Sequence, residues 1–577
     1  MAKTKLAHRL KELVKKHKVL LTTCFFGLFF IAIFITSVAG SLRVFLPYLG
    51  EITGFPFAQK NYLLVFQNNH ELRPTGGFIS SFGKVTFQNG IPAGIQIEDV
   101  YGTIDDHEYQ KPPYPMEDLL ANEWYKGYTF RDGNYSANFP DSAAELIRLY
   151  HLTRPTEKID GVVAVNFQVL QDLLDVLGPM EVEGRQLNKD NLFEEITNQV
   201  NDVDRHNLDS LAQRKSILKP LANAIIRKII ITPFKLRLIS DTLTRSLITK
   251  DIQLYFADDN LQKLVKKNNW AGEWPNLDNS SATSLNNDFL AVVETNLGGM
   301  KSDRYLTREI KYHVKFPEEY FKSDAKAQAH LQINFHHFGI ENIPLSGPYR
   351  GYFRIYNQVA QISSALSLKK PDPASSDNPV SGPIADSIVK LQPGEEKTIE
   401  FNYSLPHGSK DGYSLTIPKQ SGTNDLYEII IELPRGYRTA SDDFESRENF
   451  AYYRGTLSKD LKLNLQFLPD QSAPRLVLQE NTQLNKISLH FNEDLNQNYA
   501  DDPFSYAVTD LNIKNPQKTD QIRISKIVTT SKDIDIYLTG QTNQPEERYG
   551  VTLRNLRDTH GNILSERQIT VVQRLRK

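Results

Sequence analysis

The stretch Asn61–Gly83, NYLLVFQNNHELRPTGGFISSFG, sets the fold of the first large domain. Its two apolar runs, Tyr62–Phe66 and Phe78–Phe82, are rich in aromatic and β-branched residues and predict two strands of a buried sheet. The polar turn between them contains Arg73, which is soon followed by a pair of glycines. Glycines let another group approach the backbone closely, and a planar guanidinium matches a phosphate or a carboxylate. Two interpretations stay open: Arg73 belongs to an anion site, or it ties the hairpin to a neighbouring carboxylate.

The composition limits the class of protein. A chain of 577 residues is too long for a single core, so several domains are expected. The formal net charge of −2 gives no overall field for nucleic acid, which is therefore not predicted as a partner. The content of 30 Phe and 26 Tyr favours β-rich domains. The single cysteine, Cys24, excludes disulfides within one chain and a cysteine-based metal site.

The amino-terminal residues predict a membrane anchor. Residues 1–18 carry seven Lys or Arg and one acidic residue, and Val19–Leu42 contains no charged side chain. A helix of this length crosses the roughly 30 Å hydrocarbon core of a bilayer. By the positive-inside rule, residues 1–18 are predicted to be cytoplasmic and the chain after the apolar run to lie outside. A cleaved signal peptide is the alternative, because Ser37 and Ala39 are small residues at the spacing of a cleavage site.

Residues 43–305 predict an α/β domain with a mixed sheet and covering helices. Strand and helix patterns alternate along this part, as expected when helices connect the strands of one sheet. After the opening hairpin, further strands are predicted at 94–100, 159–165, 252–256 and 289–295. Helices are predicted at 140–150, 167–177, 191–200, 210–230 and 234–248.

The remaining chain predicts two all-β sandwich domains, at 306–470 and 471–577. Helical periodicity is lost beyond residue 305, and short alternating segments bounded by turns follow one another. The second unit resembles the immunoglobulin-like domains of bacterial surface-layer proteins, most specifically in its closing turn, RDTHGN at 557–562. This resemblance implies a spacer or adhesive module without a catalytic set.

Four segments of the α/β part together resemble one family. They are residues 61–83, RDGNYS at 131–136, IDGVVAVNFQVLQDLLDVLGPMEV at 159–182 and ETNLGGMKSDR at 294–304. They are similar to a bacterial family of membrane-anchored proteins known as domain of unknown function 4012. The similarity covers most of residues 55–305 and extends to Lys419–Thr423, and it implies no particular activity.

The same order of features resembles, more distantly, the LytR-CpsA-Psr family, which transfers glycopolymers from polyprenyl-phosphate carriers to the cell wall. Residues 159–182 carry this resemblance best, through a strand, a polar residue, an amphipathic helix and a glycine turn before the next strand. Arginines take up the charge of a departing phosphate in such chemistry. The resemblance implies that a phosphate ligand is bound by Arg73, Arg131, Asn134, Arg205 and Arg214.

Transfer chemistry needs catalytic groups beside these cations. The predicted catalytic set is Arg73, Glu98 and Asp99, in which Asp99 binds Mg²⁺ together with Glu98. Mg²⁺ is the cofactor that these residues suggest. The chain departs from the family pattern, because Thr75 stands where the family has an aspartate and Glu98-Asp99 where it has an Arg-Asp pair. These departures leave binding without transfer as an alternative.

Two functions from different classes follow. In the first, the α/β domain binds a polyprenyl-phosphate-linked glycan or cell-wall polymer beside the membrane, and transfers it if catalysis is retained. In the second, the ectodomain is a non-catalytic structural or adhesive surface protein with a degenerate α/β domain and β spacer domains. Arginines that converge on one pocket favour the first function, and scattered arginines favour the second. The sequence contains no phosphate-binding loop, dinucleotide fingerprint or nucleophile elbow.

Overall fold

A computed structural model describes most of the chain from Ser41 onward. No helix in this described part is long and apolar enough to cross a bilayer, and the predicted span Val19–Leu42 lies outside it except for its last two residues. The described residues are 41–101, 103–104, 109–120, 127–201, 217–274, 286–298, 301–341, 343, 345–357, 362–364, 384–405, 407–434, 436–447, 449–483, 485–511, 521–539, 546–565 and 567–574.

The first part of the chain alternates strands and helices. Its strands are β1 (Gln59–Asn68), β2 (Phe78–Gln88), β3 (Ile91–Asp99), β4 (Gly161–Asn166), β5 (Met180–Val182), β6 (Arg185–Leu187) and β7 (Ile252–Phe256). Its α-helices are α1 (Leu49–Thr53), α2 (Met116–Leu120), α3 (Phe139–Thr153), α4 (Phe167–Leu177), α5 (Leu192–Asn201), α6 (Leu218–Ile231), α7 (Leu236–Ile248) and α8 (Asp259–Lys267). Short 3₁₀ helices cover Ser41–Tyr48, Phe130–Asp132 and Pro233–Lys235.

Five of these strands form one mixed sheet in the order β3-β2-β1-β4-β7. β1 runs parallel to β4, and the other neighbouring pairs are antiparallel. Successive side chains of a strand point to opposite faces, so both faces of this sheet present apolar surface that helices must cover. Helix α3 packs on one face, where Leu146 shares a core with Phe82 and Val162. Helices α4, α7 and α8 pack on the other face. The predicted mixed sheet with covering helices is thus confirmed.

The next part is a β-sandwich. Its strands are β8 (Asn286–Asn296), β9 (Leu306–Lys315), β10 (Gln328–His337), β11 (Tyr349–Asn357), β12 (Ile362–Ser364), β13 (Ile384–Leu391), β14 (Glu396–Ser404), β15 (Gly412–Ile417), β16 (Leu426–Glu432), β17 (Tyr437–Ala440), β18 (Glu445–Arg447), β19 (Phe450–Thr456) and β20 (Leu461–Pro469). One sheet has the order β12-β14-β10-β9-β16-β19-β18 and the other β13-β11-β8-β15-β20-β17. Side chains from both sheets, among them Leu331 and Leu415, share one core.

Strand β8 is where the structure differs from the sequence expectation. Its apolar run was expected as the last strand of the α/β domain, but β8 pairs with β11 and β15 inside the sandwich. Leu290 and Val292 join the sandwich core, while Phe289 and Val293 on the alternate face pack around Trp274. A strand that is apolar on both faces predicts burial, but it does not specify the sheet to which the strand belongs.

The last part contains two four-stranded sheets over one core. Its strands are β21 (Leu476–Gln483), β22 (Lys486–Phe491), β23 (Tyr506–Asp510), β24 (Gln521–Ile522), β25 (Ile524–Thr529), β26 (Asp533–Leu538), β27 (Glu546–Leu553) and β28 (Arg567–Arg574), with a short helix α9 (Gln497–Ala500). The sheets have the orders β21-β22-β26-β25 and β24-β23-β27-β28. Ile487, Ile534 and Val551 are among the residues of their shared core. The prediction that β-sheets follow the α/β part is confirmed.

Candidate functional site

The parallel strands β1 and β4 end at the same side of the mixed sheet, which we call the carboxyl edge. The opposite side, where both strands begin, is the amino edge. In α/β sheets, ligands bind beyond the carboxyl ends of the strands, where loops and helix starts converge. Arg73 lies at this edge, in the loop from β1 to β2. The carboxyl edge is therefore the candidate site.

The side chain of Arg73 is buried and contacts groups of its own chain. It is 2% exposed, and its Nη2 lies 3.5 Å from Oε1 of Glu71. Its Nη1 donates a hydrogen bond to the carbonyl of Asn296, at the end of β8. The guanidinium lies 5.3 Å from the centre of the Phe78 ring. Burial raises the pKa of the Glu71 carboxyl, and the charge of Arg73 opposes that shift.

The second predicted arginine, Arg131, joins the same cluster through an acidic neighbour. The 3₁₀ helix that contains it places Nε of Arg131 3.6 Å from Oδ2 of Asp132. Burial raises the pKa of the Asp132 carboxyl, and Arg131 and then Arg73 oppose the shift. Both arginines thus act on the charge of one buried carboxyl. The structure also supplies each of them with an acidic partner that the sequence analysis did not identify.

Asn134 is fully buried and holds the glycine turn in place. Its Nδ2 donates to Oε1 of Gln67 at 2.8 Å, to Oγ1 of Thr75 at 3.0 Å and to the carbonyl of Gly77 at 2.9 Å. Thr75 in turn donates to Oε1 of Gln67 at 2.7 Å. Thr75 therefore serves as a neutral hydrogen-bond partner within this turn.

The predicted carboxylate pair Glu98-Asp99 does not share one site. The two residues are consecutive in β3, so their side chains point to opposite faces of the sheet. Glu98 forms a two-pronged ion pair with Arg154, with Nη1–Oε1 3.1 Å and Nη2–Oε2 2.5 Å. Oδ1 of Asp99 accepts a hydrogen bond from the backbone N–H of Tyr101 at 2.9 Å. The sequence-based prediction that Glu98 and Asp99 coordinate one Mg²⁺ ion together is therefore wrong, because the two side chains lie on opposite faces of the sheet.

Two predicted ligand residues, Arg205 and Arg214, lie outside the described residues. Across the described part of the chain, the group of acidic and histidine side chains close enough to share a metal ion is Asp470, Glu493, Asp558 and His560. This group lies between the two β domains and does not include Asp99. Oδ1 of Asp558 already accepts hydrogen bonds from the backbone N–H groups of His560 and Asn562 at 2.7 and 2.9 Å.

The carboxyl edge is covered by a loop of the sandwich, Pro418–Thr423, which we call the joint loop. Gln420 Nε2 donates to the carbonyls of Arg73 at 3.2 Å and Glu294 at 2.8 Å, and its Oε1 accepts from the Glu294 backbone N–H at 2.8 Å. Ser421 Oγ accepts from Asn166 Nδ2 at 2.9 Å. One loop thus connects the β1–β2 turn, the end of β4 and strand β8.

The glycines of the turn and of the joint loop explain how closely they pack. A Cβ atom on Gly76 would lie 2.2 Å from Oδ1 of Asn166 and 2.7 Å from Oγ of Ser421. A Cβ atom on Gly422 would lie 2.5 Å from the carbonyl oxygen of Gly76. The sequence predicted that another group approaches the backbone at the glycine pair. In the structure this group is the joint loop of the same chain.

A small cavity remains at the joint. It is bordered by Pro74, Gln253, Trp274 and Lys419 among others and has a volume of about 10 Å³. Burial lowers the pKa of the Lys419 ammonium to about 8. Its Nζ donates to the Gln420 carbonyl at 3.1 Å. The cavity is about the size of one water molecule.

Comparison with known proteins gives one family. Residues 58–200 match the model of a family described as Protein of unknown function (DUF4012). This match confirms the resemblance to that family for these residues, which we call the DUF4012 region. It contains Arg73, Arg131 and Asn134, whereas the joint loop lies outside it. No curated protein matches the sequence.

Solved structures show only weak similarity. Lin1025 of Listeria innocua has a TM-score of 0.21 and 12% identity, covering 37% of this chain and 78% of that one. TagV of B. subtilis has a TM-score of 0.21 and 12% identity, covering 37% and 80%. The N-terminal part of the bacterial S-layer protein SbsC has a TM-score of 0.15 and 13% identity, covering 17% of this chain and 23% of that chain. TM-scores this low carry no argument about function.

Proposed function

We propose that this chain is a membrane-anchored cell-envelope protein whose ectodomain is a rigid structural unit. In this proposal residues 1–18 are cytoplasmic and residues 19–42 form the anchor. The chain outside comprises an α/β domain within 43–305, a sandwich at 306–470 that also takes in β8, and a last domain at 471–577. One observation carries the structural role. The arginine with the geometry of an anion ligand, Arg73, is buried in the joint between the mixed sheet and the sandwich.

The charges at the carboxyl edge support this role. Arg73 pairs with Glu71, and Arg131 pairs with Asp132, so the chain itself supplies an acidic group for each cation. An approaching phosphate would meet two carboxylates and would lose its hydration as well. The cluster therefore favours closing the joint over attracting a free anion.

The space at the joint supports the same conclusion. The cavity of about 10 Å³ accommodates one water molecule, whereas ligand pockets typically have about 300–1,000 Å³. A glycan linked to a lipid phosphate would have to displace the joint loop to reach Arg73. Such a displacement would break the hydrogen bonds of Gln420 and Ser421 described above.

The contacts between the two parts extend beyond the joint loop. Leu297 and Tyr352, which belong to the sandwich side, are buried in the core that covers one face of the mixed sheet. Arg354 of β11 donates to the carbonyl of Tyr135 at 2.7 Å and lies 4.4 Å from the centre of its ring. Large, apolar interfaces of this kind suppress relative domain motion. We expect the DUF4012 region and the sandwich to move as one body.

A spin-label distance measurement tests this rigidity. In a Cys24→Ser chain, one label replaces Leu152 of α3 and a second replaces Phe450 of β19, both exposed positions. We expect a single narrow distance distribution, as narrow as that of a reference pair at Ile91 and Leu152 within the α/β part. A distribution broad relative to the reference pair would contradict the rigid unit.

A second candidate function is binding of a polyprenyl-phosphate-linked glycan or cell-wall polymer by the DUF4012 region. It is favoured by buried atoms that lack a hydrogen-bond partner within the described residues, namely Arg73 Nε, Gln67 Nε2 and Asn134 Oδ1. Buried polar atoms of this kind normally find a partner. In this function Arg73, Arg131, Asn134, Arg205 and Arg214 bind the phosphate, and Asp99 binds Mg²⁺ if transfer occurs.

Substitution of Arg131 tests this second function. The second function would be supported if the full chain binds a polyprenyl pyrophosphate analogue. Binding should then be lost in Arg131→Ala and retained in Arg438→Ala. Arg438 is an exposed arginine of β17 and serves as the matched control. Mg²⁺-dependent transfer that is present in the wild type and lost in Asp99→Asn would extend the support to transfer chemistry.

A further inference from the structure

Large apolar side chains are exposed at the amino edge of the mixed sheet. Phe57, in the loop before β1, is 91% exposed, and Phe234, in the 3₁₀ helix before α7, is 78% exposed. Burial of such side chains is favourable, and a cluster of exposed ones marks a surface that contacts something apolar. The exposed apolar residues of this region are Phe55, Phe57, Ile91, Ile231, Phe234 and Leu238.

Chain connections place these residues at one edge. Helix α4 begins directly after β4, at the carboxyl edge, so its last residues lie toward the amino edge. Lys235 Nζ donates to the carbonyls of Val176 and Leu177 at 2.7 and 3.3 Å, which brings the start of α7 to that end of α4. Phe55 lies beside the β2–β3 turn, because a Cβ atom built on Gly90 of that turn would lie 3.1 Å from the Cβ atom of Phe55.

The segment before β1 packs on the second face of the mixed sheet, against the later half of α7. The 3₁₀ helix Ser41–Tyr48 packs against α7, and the ring of Phe45 lies 5.5 Å from that of Trp270. The apolar, uncharged run Val19–Leu42 ends at the start of this 3₁₀ helix. Phe57 at the amino edge follows Leu42, the last residue of this run, by only 15 positions, which keeps the amino edge within reach of the proposed membrane anchor.

The segment from residue 217 to residue 250 is also basic. Besides Lys250, which is buried and pairs with Asp460 at 2.6 Å, it contains six Lys or Arg and one acidic residue, Asp241, a formal net charge of +5. Arg227 and Arg237 are exposed there, on either side of Ile231 and Phe234. Exposed apolar side chains flanked by basic ones are the pattern of helices that lie on membranes with anionic lipids.

We infer that the corner between α6 and α7 lies on the outer surface of the membrane that anchors the chain. Ile231, Phe234 and Leu238 insert among the lipids, and Arg227 and Arg237 contact anionic headgroups. The inference rests on the proposed membrane anchor, because the anchor holds the amino edge within reach of the bilayer. It adds a second, peripheral contact that fixes how the ectodomain is oriented on the membrane.

Fluorescent labels on the full chain in anionic vesicles test the inference. A label at position 234, in a Cys24→Ser, Phe234→Cys chain, is compared with one at position 504 of the last domain, where Phe504 is 88% exposed. Vesicle lipids brominated in their acyl chains quench a label that reaches the bilayer. We expect quenching at position 234 at least about threefold stronger than at position 504, and weaker in neutral vesicles.

Charge reversal provides the matched comparison. Arg237→Glu is expected to reduce quenching at position 234, whereas Arg438→Glu, at an exposed arginine of the sandwich, is expected to leave it unchanged. Equal quenching at positions 234 and 504 would overturn the inference. The inference would also be overturned if the label at 234 were protected from dissolved iodide but not quenched by brominated lipid. Another segment of the chain would then cover this surface. If the fluorescence of the label instead changed with the density of protein in the vesicle, the surface would contact a second copy of the chain, and the inference would be overturned.

The native cysteine separates this inference from the anchor on which it rests. A label on Cys24, within the apolar run, reports insertion of the anchor itself. Quenching at Cys24 without quenching at position 234 would contradict the peripheral contact alone. Absence of quenching at both positions would contradict the anchor, and with it the inference.

Discussion

Arg73 connects three segments of the chain through a single residue. Its guanidinium contacts Glu71 and the carbonyl of Asn296, and its own carbonyl accepts a hydrogen bond from Gln420. A buried ion pair contributes little net stability while both partners are present, but removal of one partner leaves an uncompensated charge. The energetic role of Arg73 is therefore best measured by removing it with and without its acidic partner.

We expect Arg73→Met to lower the free energy of unfolding by about 3–5 kcal/mol, because Glu71 stays buried without its counter-charge. Adding Glu71→Gln should recover part of this loss, since a neutral amide is less costly to bury than a carboxylate. Urea unfolding followed by tryptophan fluorescence measures both variants. A single variant as stable as the wild type would show that Arg73 is not a structural tie.

Asp288 predicts a pH dependence of the sandwich. Its Oδ2 accepts hydrogen bonds from the hydroxyls of Tyr312 and Tyr413 at 2.5 and 2.6 Å, and burial raises its pKa from 3.8 to about 6. Because the folded state holds this proton more tightly, the stability it contributes is full below pH 3.8 and is lost as the pH rises through about 6. A shift of this size corresponds to roughly 3 kcal/mol at most.

The Asp288→Asn variant checks this dependence, because it cannot ionise and still offers an acceptor to the tyrosines. Between pH 4 and pH 6, roughly the titration window of Asp288, the free energy of unfolding should fall less steeply than in the wild type. Asp442→Asn, at an exposed position, should follow the wild-type curve. A steeper fall in Asp288→Asn would reverse the sign of the argument.

At the scale of elements, the joint loop requires glycine at position 422, where a side chain would be strained and would also clash. Gly422 has φ 81°, and a Cβ there would lie 2.5 Å from the carbonyl oxygen of Gly76. Gly394 has a similar φ of 84°, but a Cβ there would meet nothing within 4 Å. The pair separates the cost of the left-handed backbone from the cost of the close contact.

We expect Gly394→Ala to cost about 1 kcal/mol, the usual penalty for a side chain in this backbone conformation. Gly422→Ala should cost more, because the joint loop must also move away from the β1–β2 turn. The spin-label distance between positions 152 and 450 should broaden in Gly422→Ala alone. Equal costs and unchanged distances for the two variants would mean that the joint loop does not hold the two parts together.

Sequence patterns predicted the local elements well because they report local burial. The amphipathic period at 167–177 gave helix α4 at Phe167–Leu177, and the apolar runs Tyr62–Phe66 and Phe78–Phe82 gave β1 and β2. The same patterns did not place β8, since an apolar run is equally suited to either sheet. Helix α8 was missed, although Asp258 is an N-cap whose side chain accepts from the backbone N–H groups of Asn260 and Leu261.

The candidate site could be predicted only in part from the sequence. Arg73 was recognisable from its place between strands and glycines, but its partner Asn296 is 223 positions away. Glu71, two residues before Arg73, was the available signal for a local ion pair. For Glu98 and Asp99, which were predicted to bind Mg²⁺ together, the strand period of two was an available signal that they face opposite sides. Long-range pairing across the joint requires the topology, which no local pattern contains.

At the scale of the whole molecule, the last domain has a core of its own. Every residue of the core that contains Ile487, Ile534 and Val551 lies in the last domain, within residues 476–571. Contact with the first sandwich includes the hydrogen bond of Asn562 Nδ2 to the carbonyl of Asp470 at 3.0 Å. Such a unit is expected to fold independently.

We therefore expect residues 471–577, expressed alone, to give the circular dichroism of a β protein and a cooperative melting transition. The α/β part and the first sandwich share a core, so separating them at residue 305 should instead expose apolar surface and cause aggregation. A disordered spectrum for the isolated last domain would mean that it needs its neighbour to fold.

One calorimetric titration distinguishes a structural role of Arg73 from a role in ligand binding. The full chain in detergent is titrated calorimetrically with a polyprenyl pyrophosphate analogue, in the wild type and in Arg73→Lys, and both are melted in parallel. A buried tie at Arg73 predicts no binding heat in the wild type and a melting temperature several degrees lower in Arg73→Lys, because lysine keeps the charge but loses the fork. Wild-type binding that weakens roughly ten- to a hundredfold in Arg73→Lys, with an unchanged melting temperature, would contradict it and make Arg73 a ligand residue.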